Sequence, residues 1–191
     1  MRGDKNSELV ASALRENENA FRKLIEKYNP VVYSVVRGIM GNHADAEDTV
    51  QEIFIKVYRG LGAFRGDSRL STWIYRIARN EAINASARIK SSFRPIEEAN
   101  GLGSERPNPH ECYEKKKTSE QLEMLLSKLD ENYRVALKLR YMGERSYSEI
   151  AEIMDIPIGT VKTYIHRAKI LLKKMLTAEN SSKAKKGYGA Q

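Results

Sequence analysis

The sequence predicts an all-α protein: two small helical domains joined by a flexible linker, the C-terminal one containing a helix-turn-helix. Three observations carry that prediction. Apolar residues recur at helical steps of three and four in both halves of the chain, with few of the β-branched alternations that strands need. Residues 91–112, SSFRPIEEANGLGSERPNPHEC, hold Pro95, Pro107, Pro109, Gly101 and Gly103 and show no apolar period, which marks a tether. Near the C-terminus two amphipathic segments flank a tight turn at Asp155. The expected divisions are an N-terminal domain at 1–94, an acidic linker at 95–112, a second domain at 113–178 and a disordered basic tail at 179–191.

The composition suits a soluble globular chain, with 30% charged against 41% hydrophobic residues in 191. One cysteine, Cys112, excludes an internal disulfide and any multi-cysteine zinc site, and fits a reducing cytosol. No apolar run approaches bilayer-spanning length, and the start MRGDKNSELV lacks the apolar core of a secretory signal, so a cytoplasmic chain is expected. The net charge of +8 is unevenly placed: residues 61–94 carry net +5 and residues 113–191 net +6, with net −3 between them at 95–112. Such local excess points to a polyanionic partner more than scattered solvating lysines would.

In the N-terminal domain, helices are expected to break near Asn17 to Asn19 and again near Pro30, and to end at Gly41. Asn42 then reads as the N-cap of a helix that places Asp45, Glu47, Asp48 and Glu52 in its first turns, where carboxylates suit the dipole. The loop GLGAFRGDSR leads into STWIYRIARNEAIN, a helix continuing to about Lys90. Trp73, Ile77, Asn80 and Asn84 share one stripe of it. Two amides do not belong on a buried stripe. Either they rim a core, or something outside the protein needs a tryptophan beside two bidentate hydrogen-bonding groups.

In the C-terminal domain, Asp130 reads as an N-cap and Gly143 as a helix stop. Ser146 and Glu149 have capping-box spacing. Asp155 tolerates the positive φ of a tight turn, and Pro157 fits the first turn of the next helix. On that helix Ile158, Val161, Ile165, Ala168, Leu172 and Met175 form the expected core face. The opposite face carries Gly159, Lys162, Thr163, His166, Arg167, Ile170 and Lys174, and residues 158–178 hold five basic residues and no acid. A solvated face has this look, but beside a tight turn it fits readout of a major groove.

DAEDTVQEIFIKVY, STWIYRIARNEAIN and IPIGTVKTYIHRAK, in that order around a linker, resemble the extracytoplasmic-function group of bacterial sigma factors. The likeness spans about Glu8 to Met175. It implies a two-domain initiation factor that binds core RNA polymerase and directs it to promoter DNA, duplex and single-stranded, with no catalytic site, metal, cofactor or small-molecule substrate. By resemblance Asp45, Glu47, Asp48, Gln51 and Glu52 dock on the coiled-coil clamp of the large polymerase subunit.

The same resemblance assigns the loop 62–69 and the following helix to the non-template strand of the minus-ten element. A base unstacked there needs an apolar wall and hydrogen-bonding groups at its exposed edge. Asn80 is then the base reader, Phe64 a pocket wall, and Arg65, Arg69, Arg76, Arg79 and Arg88 phosphate partners. Trp73 either stacks on a base or packs into its own domain, and Asn84 either touches DNA or orders the helix. Lys162, Thr163, His166 and Arg167 read the minus-thirty-five element, where a good bidentate pair supplies about 1–3 kcal/mol of discrimination. Tyr147, Ser148, Thr160 and Lys169 contact its backbone. The resemblance also implies control by an anti-sigma factor, often membrane-bound, which would hold this chain at the inner face of the membrane.

Two other classes compete. An enzyme finds no support in the motifs: His43, His110 and His166 lie on separate segments, and the chain has no HExxH, no Walker-type loop and no full dinucleotide fingerprint. An ordinary transcriptional regulator would bind specific duplex DNA alone, whereas the sigma reading requires core polymerase for strong promoter binding.

Overall fold

The computed structural model describes residues 18–41, 45–92 and 121–187, all of them helical apart from caps, turns and short loops. The expected linker, the expected cap Asn42, His43, His110 and Cys112 lie outside the described residues.

Helix α1 (Glu18–Met40) runs unbroken through Pro30, against the expected break. An interior proline costs a helix about 3 kcal/mol. Burial offsets it. Leu24 and Tyr28 before the proline, and Val31, Val32, Val35, Val36 and Ile39 after it, are all buried, and only a continuous helix keeps both groups on the same faces. Each large apolar side chain removed from water is worth about 1.5–3 kcal/mol. Gly41, at φ +72°, ends the helix with its N–H donating to the Arg37 carbonyl at 3.0 Å, as its position suggested.

Helix α2 (Ala46–Leu61) starts behind Asp45, whose side chain makes no cap hydrogen bond. The Asp45 carbonyl instead accepts from the Thr49 N–H at 2.9 Å and the Thr49 hydroxyl at 2.8 Å. Helix α3 (Leu70–Ser92) extends slightly past the expected end. It packs with α2 against α1 around Val32, Val35, Ile53, Val57, Ile74, Ala78 and Ala82, with the Tyr28 and Tyr75 rings edge to face at 6.1 Å.

The second unit contains a helical segment at 121–127, α4 (Glu131–Tyr141), α5 (Tyr147–Met154) and α6 (Ile158–Gly187). Its local signals behave as read. Asp130 accepts from the Asn132 N–H at 2.9 Å, Ser146 and Glu149 form a complete capping box, and Asp155 takes φ +53°. Two expectations change. Ile158 is 46% exposed and leaves the core face, being the first residue of α6 with Pro157 and Gly159 exposed on either side; Val161, Ile165 and Ala168 are buried as expected. The backbone of α6 also stays helical through 179–187, where a disordered tail was expected, since residues 179–186 hold no glycine or proline.

The two units are packed together. α1 lies against α4, and α3 against α5, so that one apolar core is continuous through both. Polar staples cross the seam. The Arg134 guanidinium donates to the Gly38 carbonyl at 2.8 Å while also reaching the carbonyls of Leu129 and Ser127 in its own unit. Ser34 donates to the Met142 sulfur at 3.0 Å. Within the second unit Lys138, nearly fully buried, is paired with Glu123 at 3.1 Å. Burial lowers its pKa, and the Glu123 carboxylate opposes that shift.

Gly143 sits in this seam for a reason other than helix stopping. The left-handed residue after α4 is Glu144, at φ +54°. A Cβ on Gly143 would meet the Leu139 carbonyl oxygen at 2.8 Å and Val31 Cγ1 at 3.3 Å. The glycine thus lets α1 approach the α4 end. Gly143→Ala is expected to lower the stability of the whole chain by about 1–3 kcal/mol, the usual penalty of overpacking, read as an earlier urea midpoint.

Candidate functional site

Three surfaces carry the residues singled out by the sequence. On α2, Asp45, Glu47, Asp48, Gln51 and Glu52 are all exposed, while Ile53, Phe54 and Val57 turn inward. Between this face and the C-terminal end of α3 runs a groove of about 260 Å³ lined by Asp45, Asp48, Thr49, Glu52, Ala85, Arg88 and Ile89. Arg88 meets Glu52 there at 3.7 Å. Arg88 lies 19 residues along the helix from Arg69, which is about 28 Å at 1.5 Å per residue. The structure therefore groups Arg88 with the acidic face and separates it from the loop. Ile55 and Tyr58, about half exposed, extend this surface, with Tyr58 edge to face on Phe21 at 4.9 Å. Their outward position was legible only as an interruption of the apolar period.

The second surface is the loop 62–69 with the start of α3. Gly66, at φ +79°, turns the loop, and Arg65 pairs with Asp67 at 3.3 Å across it, both exposed. Phe64 and Trp73 pack at 5.2 Å between ring centroids. The indole also presses on Gly60, where a Cβ would lie 3.0 Å from Trp73 Cζ2. Trp73 is thereby half-buried and held on two sides. Asn80 and Asn84 are exposed, Asn80 lying two turns, about 10 Å, beyond Trp73. Arg79 is half-buried on the same helix.

Arg69 and Arg76 point at the other unit. Arg69 pairs with Glu149 at 3.2 Å, and Arg76 with Glu152 at 2.6 Å. Glu149 is a junction: its Oε1 also accepts from Arg145 at 3.1 Å, and its Oε2 accepts from the Ser146 backbone N–H at 2.8 Å. Arg145 in turn donates to the Ser71 hydroxyl at 2.7 Å and lies over the Tyr75 ring. Sequence reasoning missed Arg145, because its partners Ser71 and Tyr75 are distant in the chain. Burial raises the Tyr75 hydroxyl to about 12, against the lowering effect of the Arg145 charge.

The third surface is the helix-turn-helix, α5 and α6 around Asp155. Lys162, Thr163, His166, Arg167 and Lys169 are exposed on α6, opposite the buried Val161, Ile165 and Ala168. Thr163 donates its hydroxyl to the Gly159 carbonyl at 3.0 Å. Ser148 is exposed beside Ser146, and Tyr147 and Thr160 are half-buried. Two α4 residues not foreseen frame this face: Arg140 lies over the Tyr147 ring at 5.5 Å and Tyr141 under the Lys169 ammonium at 5.3 Å. A hydrogen bond with Tyr141 raises the Lys169 pKa, keeping that cation charged. Among the described residues no cluster of His, Cys, Asp and Glu has the geometry to hold a metal ion, and no helix is long and apolar enough to cross a membrane.

A helical unit with an acidic face, followed by a helix-turn-helix unit with a basic one, is the architecture of a sigma-70-type initiation factor. Residues 24–91 match Sigma-70 region 2, and residues 119–172 match Sigma-70 region 4. The chain is 32% identical to the ECF RNA polymerase sigma factor SigW of Bacillus subtilis, over 87% of this chain and 94% of that one. It is 38% identical to the ECF RNA polymerase sigma-E factor of Escherichia coli K12, over 84% and 88%. The protein belongs to the ECF sigma factors, which direct core RNA polymerase to promoters. Its fold is shared with CnrH, solved in complex with the cytosolic domain of CnrY (TM-score 0.65, 22% identity, 89% of this chain and 96% of that one). It is also shared with the sigma factor RpoE of Bartonella quintana, solved with the anti-sigma factor NepR (TM-score 0.62, 22% identity, 82% and 96%).

The Glu149 junction makes a pH prediction. Burial disfavours its charge, but the hydrogen bonds from Ser146 and the charges of Arg145 and Arg69 outweigh that, so its pKa lies below the ordinary 4.5. A depressed carboxylate stabilises the fold fully above its unfolded pKa and loses that contribution as pH falls through the folded value. The stability advantage of the native chain over Glu149→Gln is therefore expected to be constant from pH 7 to about pH 5 and to vanish on further acidification, measured by denaturant titration at each pH.

Proposed function

We propose that the three surfaces divide the work of initiation. The observation that carries this reading is the α6 face, where Lys162, Thr163, His166 and Arg167 project together behind a tight turn with their helix anchored by Val161, Ile165 and Ala168. It presents base-edge donors and a thymine-methyl contact to the minus-thirty-five duplex. Tyr147, Ser148, Thr160 and Lys169 flank it toward the phosphates. The exposed carboxylates Asp45, Glu47, Asp48 and Glu52, with Gln51, dock on a basic helical element of core polymerase, and the outward Ile55 and Tyr58 add apolar area to that contact.

In the minus-ten region Asn80 reads an extruded base, Phe64 walls its pocket, and Arg65, Arg69, Arg76 and Arg79 hold phosphates. Trp73 serves mainly to fix Phe64 and the loop, which its contacts with Gly60 and Phe64 support. Arg88 acts beside Glu52 in shaping the polymerase-binding groove as well as through any phosphate it meets. Asn84, exposed one turn beyond Asn80, extends the same stripe. The protein works in the cytoplasm without catalysis of its own. An anti-sigma partner of the kind seen with the related Bartonella quintana fold restrains it, and a membrane-bound one would keep it at the inner face of the membrane.

Promoter-dependent transcription with added core polymerase tests the whole reading, which fails if no genomic promoter is stimulated. Within it, Asn80→Ala is expected to lower open-complex formation about tenfold or more, the loss of a bidentate base contact, while polymerase affinity stays within about twofold. Permanganate footprinting of the melted strand, alongside a binding titration with core enzyme, measures both.

A further inference from the structure

We infer that Tyr141, the last residue of α4, is a positioning residue of the minus-thirty-five interface: its ring and hydroxyl hold the Lys169 ammonium ready for a phosphate of the duplex. The inference rests on the proposed phosphate role of Lys169 and adds to that surface a residue from outside the helix-turn-helix. Its basis is geometric. Lys169 projects from the exposed face of α6, and its Nζ lies over the Tyr141 ring at 5.3 Å, with the Tyr141 hydroxyl as its hydrogen-bonding partner. Tyr141 is 57% exposed and lies outside the apolar core, so its ring is free to serve the cation.

A lysine side chain is long and flexible, and fixing it on a phosphate costs rotamer freedom. Its surroundings add a bias. Arg140, the residue before Tyr141, carries a like charge that works against Lys169, and among the described residues no carboxylate pairs with either cation. Left alone, the ammonium would swing away from Arg140 into water. The end of α4 gives each cation a ring instead. Arg140 lies over Tyr147 at 5.5 Å and donates from Nη1 to the Arg145 carbonyl at 3.0 Å, while Lys169 rests on Tyr141. A ring face attracts an ammonium without neutralising it, and a hydroxyl occupies one of its three N–H donors and leaves two. A carboxylate in the same place would hold the lysine as firmly but cancel the charge that the phosphate needs. Tyrosine therefore orders the cation in advance and keeps it available, which removes part of the cost of binding.

The test uses the full chain with core polymerase, titrated by fluorescence anisotropy against a duplex promoter fragment selected by the native holoenzyme. Lys169→Gln is expected to weaken binding roughly three- to tenfold at moderate salt and to lower the slope of log affinity against log salt by about one. Tyr141→Leu, which removes ring and hydroxyl but keeps helix propensity, is expected to weaken it about two- to fivefold, and Tyr141→Phe, which keeps the ring, by less. The deciding measurement is the double variant. In a Lys169→Gln background Tyr141→Leu should cost nothing further, because the tyrosine acts through the lysine. A merely structural tyrosine would give additive losses and an earlier urea midpoint. Additive losses, or native affinity in Tyr141→Leu, overturn the positioning role and leave Lys169 in its place. Native affinity and slope in Lys169→Gln overturn the phosphate reading itself, and the inference falls with it.

Discussion

Helix α1 is buried on two sides, and the rest of the arrangement follows from that. Its Leu24, Val32 and Val35 are fully buried, in the core that also holds Ile53 and Ile74, while Val31 reaches Gly143 and Gly38 receives Arg134 from the other unit. A helix that joins both units in one core tolerates no break. This is why Pro30 is accommodated and why α2 and α3 present the faces they do. With α1 taken up between α3 and α4, the acidic side of α2 is left outward.

Apolar contact and ion pairing have separate parts in the seam. Half-exposed ion pairs such as Arg76 with Glu152 contribute about 0.2–1 kcal/mol each, against about 1.5–3 kcal/mol for each large side chain buried beneath them. The apolar layer therefore supplies most of the adhesion. The ion pairs supply register and sensitivity, because they respond to salt and to competing anions whereas buried valines do not. Arg145 joins the two layers: its charge meets Glu149 while its guanidinium lies over Tyr75.

What was legible in the sequence was local. The Asp130 cap, the Ser146 and Glu149 box, the left-handed Asp155 and the terminal Gly41 each depend on residues within a turn or so, and each reads correctly. The α6 core face was legible too, apart from Ile158 in the first turn. What was hidden depends on distant partners. A helical period says which side of α1 is apolar, but not that two units share it. Pro30 looked like a breaker because the burial that outweighs it comes from helices far along the chain. Glu149 announced its capping role three residues from Ser146, yet its contact with Arg69 spans 80 positions. Gly143 reads as a helix stop in the sequence and is used for its missing Cβ.

These long-range contacts also divide the positive charge of the chain into two kinds. The α6 cations Lys162, Arg167 and Lys169 face solvent, with Lys169 steadied on Tyr141. Their field extends about a Debye length, 8–10 Å at moderate salt, and can draw in a polyanion before any contact forms. Arg69 and Arg76 are already neutralised across the seam and contribute little to that field. The net charge of +8 already includes the carboxylates that pair with these arginines, whereas the gross count of 33 Lys and Arg overstates how many cations are free to attract DNA. Of the two basic surfaces, the helix-turn-helix is therefore the one whose cations stand open to solvent, and the start of α3 the one whose Arg69 and Arg76 are already paired with carboxylates.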